Sequence, residues 1–131
     1  MPPVQEAARL RDRVKALEHV LERLRRLDQL READACLIAP DVDPGWRKAF
    51  FVRAGVVCAV RSLPPGAGAR LEINAGLAIS RHISQTREPL TGEQAEDMLL
   101  LGGFIERPPP ELTVFRLDGE QSAAHLMRLV A

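Results

Sequence analysis

The sequence predicts an α+β fold: a long, coiled-coil-like N-terminal helix, then a small, mostly antiparallel sheet packed with two to three helices. Three observations predict it. Residues 4–33 contain neither Gly nor Pro and repeat their apolar residues at helical spacing. Residues 35–63 hold short runs rich in Val, Phe and Ala, separated by Pro and Gly. Beyond Pro64, segments bounded by Pro and Gly read in turn as helix, helix, strand and helix. Strands gathered first and helices later are the mark of a sheet covered by helices on at least one face.

The first element divides the chain into residues 1–34, a long amphipathic helix, and residues 35–131, a small α+β domain. Leu10, Val14, Leu17, Leu21 and Leu24 follow one another at spacings of 4, 3, 4 and 3, the a/d seam of a coiled coil. The next seam position is Asp28, and the apolar stripe drifts to Val20, Leu24, Leu27 and Leu30, as a straight helix does once it leaves a 3.5-residue repeat. Glu22 stands four residues before Arg26, the favourable order for an ion pair along the helix. Such a helix is about 43 Å long, more than a body of ~100 residues with a radius of gyration near 13 Å can cover. It is expected to overhang the body, to pair with another helix, or to continue from upstream sequence.

Ala35–Ala39 reads as a strand ended by Pro40, and Asp41-Val42-Asp43-Pro44-Gly45 as a turn. Trp46–Arg53 and Val56–Leu63 flank Ala54-Gly55 and form a tight hairpin, with Arg47, Lys48, Arg53 and Arg61 on a wet face. After Pro64-Pro65-Gly66-Ala67-Gly68, the residues Leu71, Ala75, Ala78, Ile79, His82 and Ile83 share one face of a helix interrupted by Gly76. Thr91 opens the next helix, with Gln94 completing a capping box and Leu90 a hydrophobic staple. Met98, Leu99, Leu101 and Ile105 are its apolar positions, Gly102-Gly103 permits close packing or a bend, and Pro108-Pro109-Pro110 stops it. Leu112–Leu117 is a fourth strand, Asp118-Gly119 a turn, and Glu120–Val130 a terminal helix.

Composition narrows function mainly by exclusion. The 131 residues are 46% hydrophobic and 27% charged, which excludes wholesale disorder. Uninterrupted apolar stretches such as Met98–Leu101 are far too short to cross a bilayer, so no membrane partner is expected. The start of the chain shows no secretory pattern, and Cys36 and Cys58 sit in apolar runs as core thiols. The chain is therefore expected in the cytoplasm. Eighteen basic residues balance eighteen acidic ones, so no global field draws nucleic acid. Only Lys15 and Lys48 among the basic residues are Lys, an Arg excess that reads as the codon bias of a GC-rich genome.

Candidate chemistry is sparse. His19, His82 and His125 make no metal-binding spacing with each other or with the cysteines, and no metal or cofactor is expected. Asp41 and Asp43 read as turn formers rather than cation ligands. Cys58 beside His82 would make a nucleophile pair, but a thiol among valines is inert, and His82 reads as a half-buried packing residue. Gly66-Ala67-Gly68 lacks the remainder of a phosphate-binding fingerprint and reads as a plain strand-to-helix connection. Arg23, Arg25 and Arg26 cluster on the first helix and Arg81 and Arg87 flank Ile83; these are the candidate DNA contacts, against a reading as solvated helix faces. Phe50, Phe51, Phe104 and Phe115 read as core, leaving few aromatics for base stacking.

The run Arg23-Leu-Arg-Arg-Leu-Asp-Gln-Leu-Arg-Glu-Ala-Asp-Ala-Cys-Leu-Ile-Ala-Pro, followed by Ala49-Phe-Phe-Val-Arg-Ala-Gly-Val-Val, resembles a nuclease-associated region. That region follows the GIY-YIG nuclease domain in bacterial proteins related to the UvrC excinuclease, some of them fused to a proofreading-type exonuclease. The resemblance implies a DNA-repair setting in which a helix leaves the nuclease domain and enters a small strand-rich module. This chain has no tyrosine, so the GIY-YIG motif is missing and no family catalytic residue carries over. The order strand-strand-strand-helix also resembles the ribonuclease H-like domain of that family, whose two-metal chemistry needs carboxylates on the strands. Residues 35–39 carry none, so the arrangement reads as degenerate and non-catalytic. The expected role is an accessory or interaction module, its helix forming a homodimer or docking a partner and its body contacting DNA. The alternative is a helix-mediated homodimer that binds protein or a small ligand, unrelated to nucleic acid.

Overall fold

The computed structural model describes residues 3–83, 88–117 and 120–129. Helix α1 spans Pro3–Leu30, 28 residues, about 42 Å at 1.5 Å per residue. Pro3 opens it, where the missing N–H is one the helix leaves unpaired anyway. It ends at Leu30, short of residue 34, as the amides of Arg31, Glu32 and Ala33 tighten back onto the carbonyls of Leu27, Gln29 and Leu30.

Four strands follow the predicted places: β1 (Ala35–Pro40), β2 (Arg47–Arg53), β3 (Val56–Leu63) and β4 (Thr113–Arg116). They form one sheet in the order β3-β2-β1-β4, antiparallel throughout. Three further helices are α2 (Gly68–Arg81), α3 (Gly92–Glu106) and α4 (Glu120–Leu129). The turn at Asp118-Gly119 and the last predicted helical residue, Val130, lie outside the described residues.

Side-chain alternation splits the core between the two faces of the sheet. Cys36, Ile38, Ala49, Phe51 and Leu63 pack with Ala69, Ile73 and Leu77 of α2 and Leu126 of α4. Ala35, Leu37 and Val52 face the other way, toward Leu101 and Ile105 of α3 and Leu112. Helices thus cover both faces, and β1 reads as a continuous apolar run because neither of its sides meets water. The wet positions of the hairpin fall on the outer strand instead: Val56, Val57 and Val60 of β3 are exposed.

The hairpin turn is as tight as expected. Ala54 and Gly55 both adopt positive φ, +54° and +77°, the pair of conformations a two-residue type I′ turn requires. A left-handed alanine costs about 1 kcal/mol that asparagine largely avoids. Ala54→Asn is expected to raise the unfolding free energy by about 0.5–1 kcal/mol in urea titrations. A loss of stability would contradict this assignment of the turn. Beyond the turn, Phe51 pairs with Ala59 but Val52 with Val57, so Cys58 is the extra residue of a β-bulge.

Helix α2 forms, but it buries a different face from the one its large residues predict. The buried residues are Ala69, Ile73, Gly76, Leu77 and Ser80, while Leu71 is 72% exposed and Ile79 and Ile83 stand in solvent. The reason is close approach. A Cβ on Gly76 would overlap the Phe51 ring, so the bare backbone at Gly76 lets α2 settle onto the sheet there, with Ile73 and Leu77 buried beside it. Helix α3 starts as expected, with the Gln94 amide donating to the Thr91 hydroxyl at 3.1 Å and the Thr91 amide to the Gln94 side-chain oxygen at 3.0 Å. It continues unbroken through Gly102-Gly103, where Gly102 lies against Leu30 and Gly103 has no close neighbour among the described residues.

Candidate functional site

From Pro3 to Arg25 every residue of α1 is exposed. The seam residues Leu10, Val14, Leu17, Leu21 and Leu24 lie at 48–64% exposure, so among the described residues nothing covers them. Only the C-terminal turns meet the body: Arg26 and Leu27 are half-buried and Leu30 is buried. Arg26 lies about 140–200° around the helix from Leu21 and Leu24 at 100° per residue. The body therefore holds the back of α1, and the seam faces away from it along its whole length.

The anchor is specific. Arg26 sends two guanidinium nitrogens to the two carboxylate oxygens of Glu106 on α3, each at 2.8 Å, in place of the expected pairing with Glu22. Glu22 stands 4.0 Å from Arg25 instead. Leu30 sits where a side chain on Gly102 would be, and its carbonyl lies against Gly55, whose added Cβ would collide with it. Asp34, just past the helix, ties three segments together. Its carboxylate accepts from Arg53 Nη1 and from the Ala54 amide, both at 3.1 Å, and its carbonyl accepts from the Leu117 amide at 2.9 Å. Arg53 also donates through Nε to the Ile83 carbonyl at 3.2 Å, and the Gly55 amide to the Ala33 carbonyl at 3.0 Å. Helix, hairpin turn and the chain after β4 are thereby locked at one point.

The hydrogen bond from Arg26 holds the Glu106 carboxyl below its ordinary value of 4.5, with charge attraction to Arg26 adding to it. A lowered carboxyl favours the folded state above the unfolded-chain pKa, and that contribution is lost as pH falls through the folded value. A carbon-detected NMR titration is expected to place the Glu106 midpoint below 4.5, and Arg26→Ala to return it toward that value. Equal midpoints in the two proteins would contradict the pairing.

The candidate DNA contacts on α1 are spread around the helix. Arg23 and Arg25 are about 200° apart around α1, hence on opposite sides of it, and Arg26 is committed to Glu106. Arg81 is exposed in the last turn of α2, and Arg87 lies outside the described residues. His82 is exposed at the end of α2 rather than half-buried. The Cys58 thiol, half-buried in the bulge, donates to the Phe51 carbonyl at 3.3 Å. Burial raises the Cys58 pKa and pushes that of Cys36 up to about 12, so neither thiol is a ready nucleophile. The Asp41 carboxylate accepts from the Val42 amide at 2.8 Å, the turn chemistry expected of it, and the Trp46 amide donates to the Asp43 backbone carbonyl at 3.1 Å. The amides of Ala69 and Arg70 turn back to the carbonyls of Gly66 and Ala67, as in a plain connection. None of the four strands carries an Asp or Glu, and among the described residues no three of His, Cys, Asp and Glu gather as metal ligands.

One cleft of about 530 Å³ opens between the outer face of β3 and α3, lined by Val56, Val57, Leu90, Met98, Leu100 and Phe104. Phe104 lines it with 40% of its surface exposed, so it is not a core residue as expected. Among the described residues no helix is long and apolar enough to cross a membrane. Family models, curated proteins and solved structures give no match to this chain.

Proposed function

We propose that this chain is a non-catalytic association module, in which α1 presents an apolar seam to a helix of another polypeptide and the α+β body fixes the direction of α1. The observation that carries it is the placement of the anchor. Arg26 and Leu30 hold the back of α1 on the body while Leu10, Val14, Leu17, Leu21 and Leu24 project outward uncovered. A row of five large aliphatic side chains on an exposed helix marks a partner surface more readily than a solvated face. The excinuclease-related resemblance fits an accessory role of this kind. A DNA contact would fall to Arg23 and Arg25, which stand about 200° apart around α1, and to Arg81 at the end of α2.

The test is the native size of the chain in extracts of its own cells, for the wild type and for Leu17→Asp. The seam reading expects the wild type to elute above its own 14.5 kDa and the variant to shift to smaller size, since a buried unpaired charge breaks an apolar seam. Identical elution of both at monomer size would overturn it. Anisotropy with labelled single-stranded and duplex DNA supplies the other arm. Binding that falls steeply with salt and weakens in Arg23→Ala or Arg81→Ala would move the function to nucleic acid.

A further inference from the structure

We infer that the occupant of the α1 seam is α1 of a second copy of this chain, lying parallel and in register. The inference rests on the association reading and deepens it by naming the partner. With Val14 and Leu21 at position a and Leu10, Leu17 and Leu24 at position d, the flanking e and g positions are fixed by the sequence. Glu6 and Arg13 take g positions, Arg11 and Glu18 take e positions, and all four are exposed on α1. In a parallel pair each g residue meets the e residue five places on in the other helix. Glu6 then meets Arg11 and Arg13 meets Glu18, each twice by symmetry, and no like charges are opposed. The remaining pair places the aliphatic stem of Arg25 over Val20.

An antiparallel pair overlapping along its full length brings Arg11 to Glu18 twice and forms no other ion pair. Shifting that pair by one heptad in one direction opposes Arg11 to Arg25, and in the other Arg13 to Arg13. The charge pattern therefore selects the parallel arrangement. β-branched Val14 at a with Leu at every d position favours two strands. The structure also makes room for it. The body sits on the side of α1 opposite the seam, so two bodies fall on the outside of the pair at the same end without meeting across it. Asp28, the next a position, is exposed and would face its own copy, so the paired segment ends at Leu24 and the helices part just before their anchors.

The experiment uses the full chain at tens of micromolar, with mass measured by light scattering and with Ala7→Cys oxidised under mild conditions. Ala7 occupies position a at the free end of α1. In the parallel pair its two copies are adjacent; in the full-overlap antiparallel pair they are ~25 Å apart, beyond reach of a disulfide. The expected result is a dimer mass and a covalent dimer of Ala7→Cys that the wild type, keeping Cys36 and Cys58, does not give. Leu17→Asp should weaken association on the order of a hundredfold while the body stays folded, and Asp28→Val should tighten it about tenfold by extending the seam. A dimer that gives no Ala7→Cys cross-link overturns the parallel arrangement and leaves the association reading standing. A monomer of the purified chain overturns the second copy as occupant, and a seam-dependent large size in extracts then shows that a different helix fills it. Monomers in both settings overturn both.

Discussion

Asp34→Ala is expected to lower the unfolding free energy by about 2–3 kcal/mol and to loosen α1 from the body. The carboxylate, in the short link after α1, satisfies the Ala54 amide and pairs with Arg53, whose side chain is about one-third exposed. Removing it strands the amide of a left-handed residue in a tight turn and leaves a half-buried guanidinium with only the Ile83 carbonyl. A stranded polar group costs about 1–3 kcal/mol, and the ion-pair part is discounted because water reaches Arg53. Asp34→Asn keeps an oxygen for Ala54 but not the charge, so it should lose less than half as much. Urea denaturation gives the energies. Amide exchange at Leu30 and Gly55 should quicken in Asp34→Ala, while the centre of β1 changes only as global stability does. A loss under 1 kcal/mol with unchanged exchange at Leu30 would show that Gly55 and Gly102 hold the helix without Asp34.

On the proposed association reading, the anchor would matter for function because an association helix is useful in proportion to how well its direction is fixed. The bond from Arg26 to Glu106, the seat of Leu30 against Gly102 and the Asp34 lock hold the end of α1 to the body at three separate contacts. A partner bound along the seam then holds the body at one angle, and ordering α1 adds little to the entropy lost on binding. Weakening the anchor alone should leave the seam intact and the two helices paired, but let the bodies swing.

Local sequence made some of this legible and hid the rest. The seam of α1 follows from spacing alone, because no body lies over it to override the 3.5-residue repeat. The strands are bounded by Pro40, the Ala54-Gly55 turn and Pro64, and the start of α3 by Thr91 and Gln94, all chemistry within a few residues. The anchor was hidden because its partners are far apart in sequence. Arg26 meets Glu106 across 80 residues and Asp34 meets Arg53 across 19, and periodicity carries no information about either. Gly102 gave a partial signal, since a glycine pair inside a helix marks either a bend or a close neighbour. The run Arg23, Arg25 and Arg26 shows the reverse, since Arg25 stands about 200° from Arg23 while Arg26 returns to within about 60° of it. Adjacency in sequence is dispersion on a helix, where successive residues turn by 100°.

The inverted face of α2 leads to the largest energetic effect in the molecule. Phe51 is fully buried at the centre of the larger core, with its ring against Gly76, and Phe51→Ala is expected to cost about 3–5 kcal/mol. Gly76→Ala tests why the helix lies this way round. In an exposed helix that change would stabilise by about 1 kcal/mol. Here the new methyl would overlap three ring atoms of a side chain with no free space to retreat into, so the expected result is a net loss of about 1–3 kcal/mol. Once Phe51→Ala has removed the ring, Gly76→Ala should turn stabilising by about 1 kcal/mol, as helix propensity returns and the cavity partly fills. The two substitutions should therefore couple by at least about 2 kcal/mol in a double-mutant cycle. Additive effects would mean that α2 can shift to admit the methyl, and that Gly76 does not set its packing. Coupling of the expected sign shows that a glycine unfavourable for the helix is what seats α2 on the sheet, with Leu71 and Ile79 left in water as the consequence.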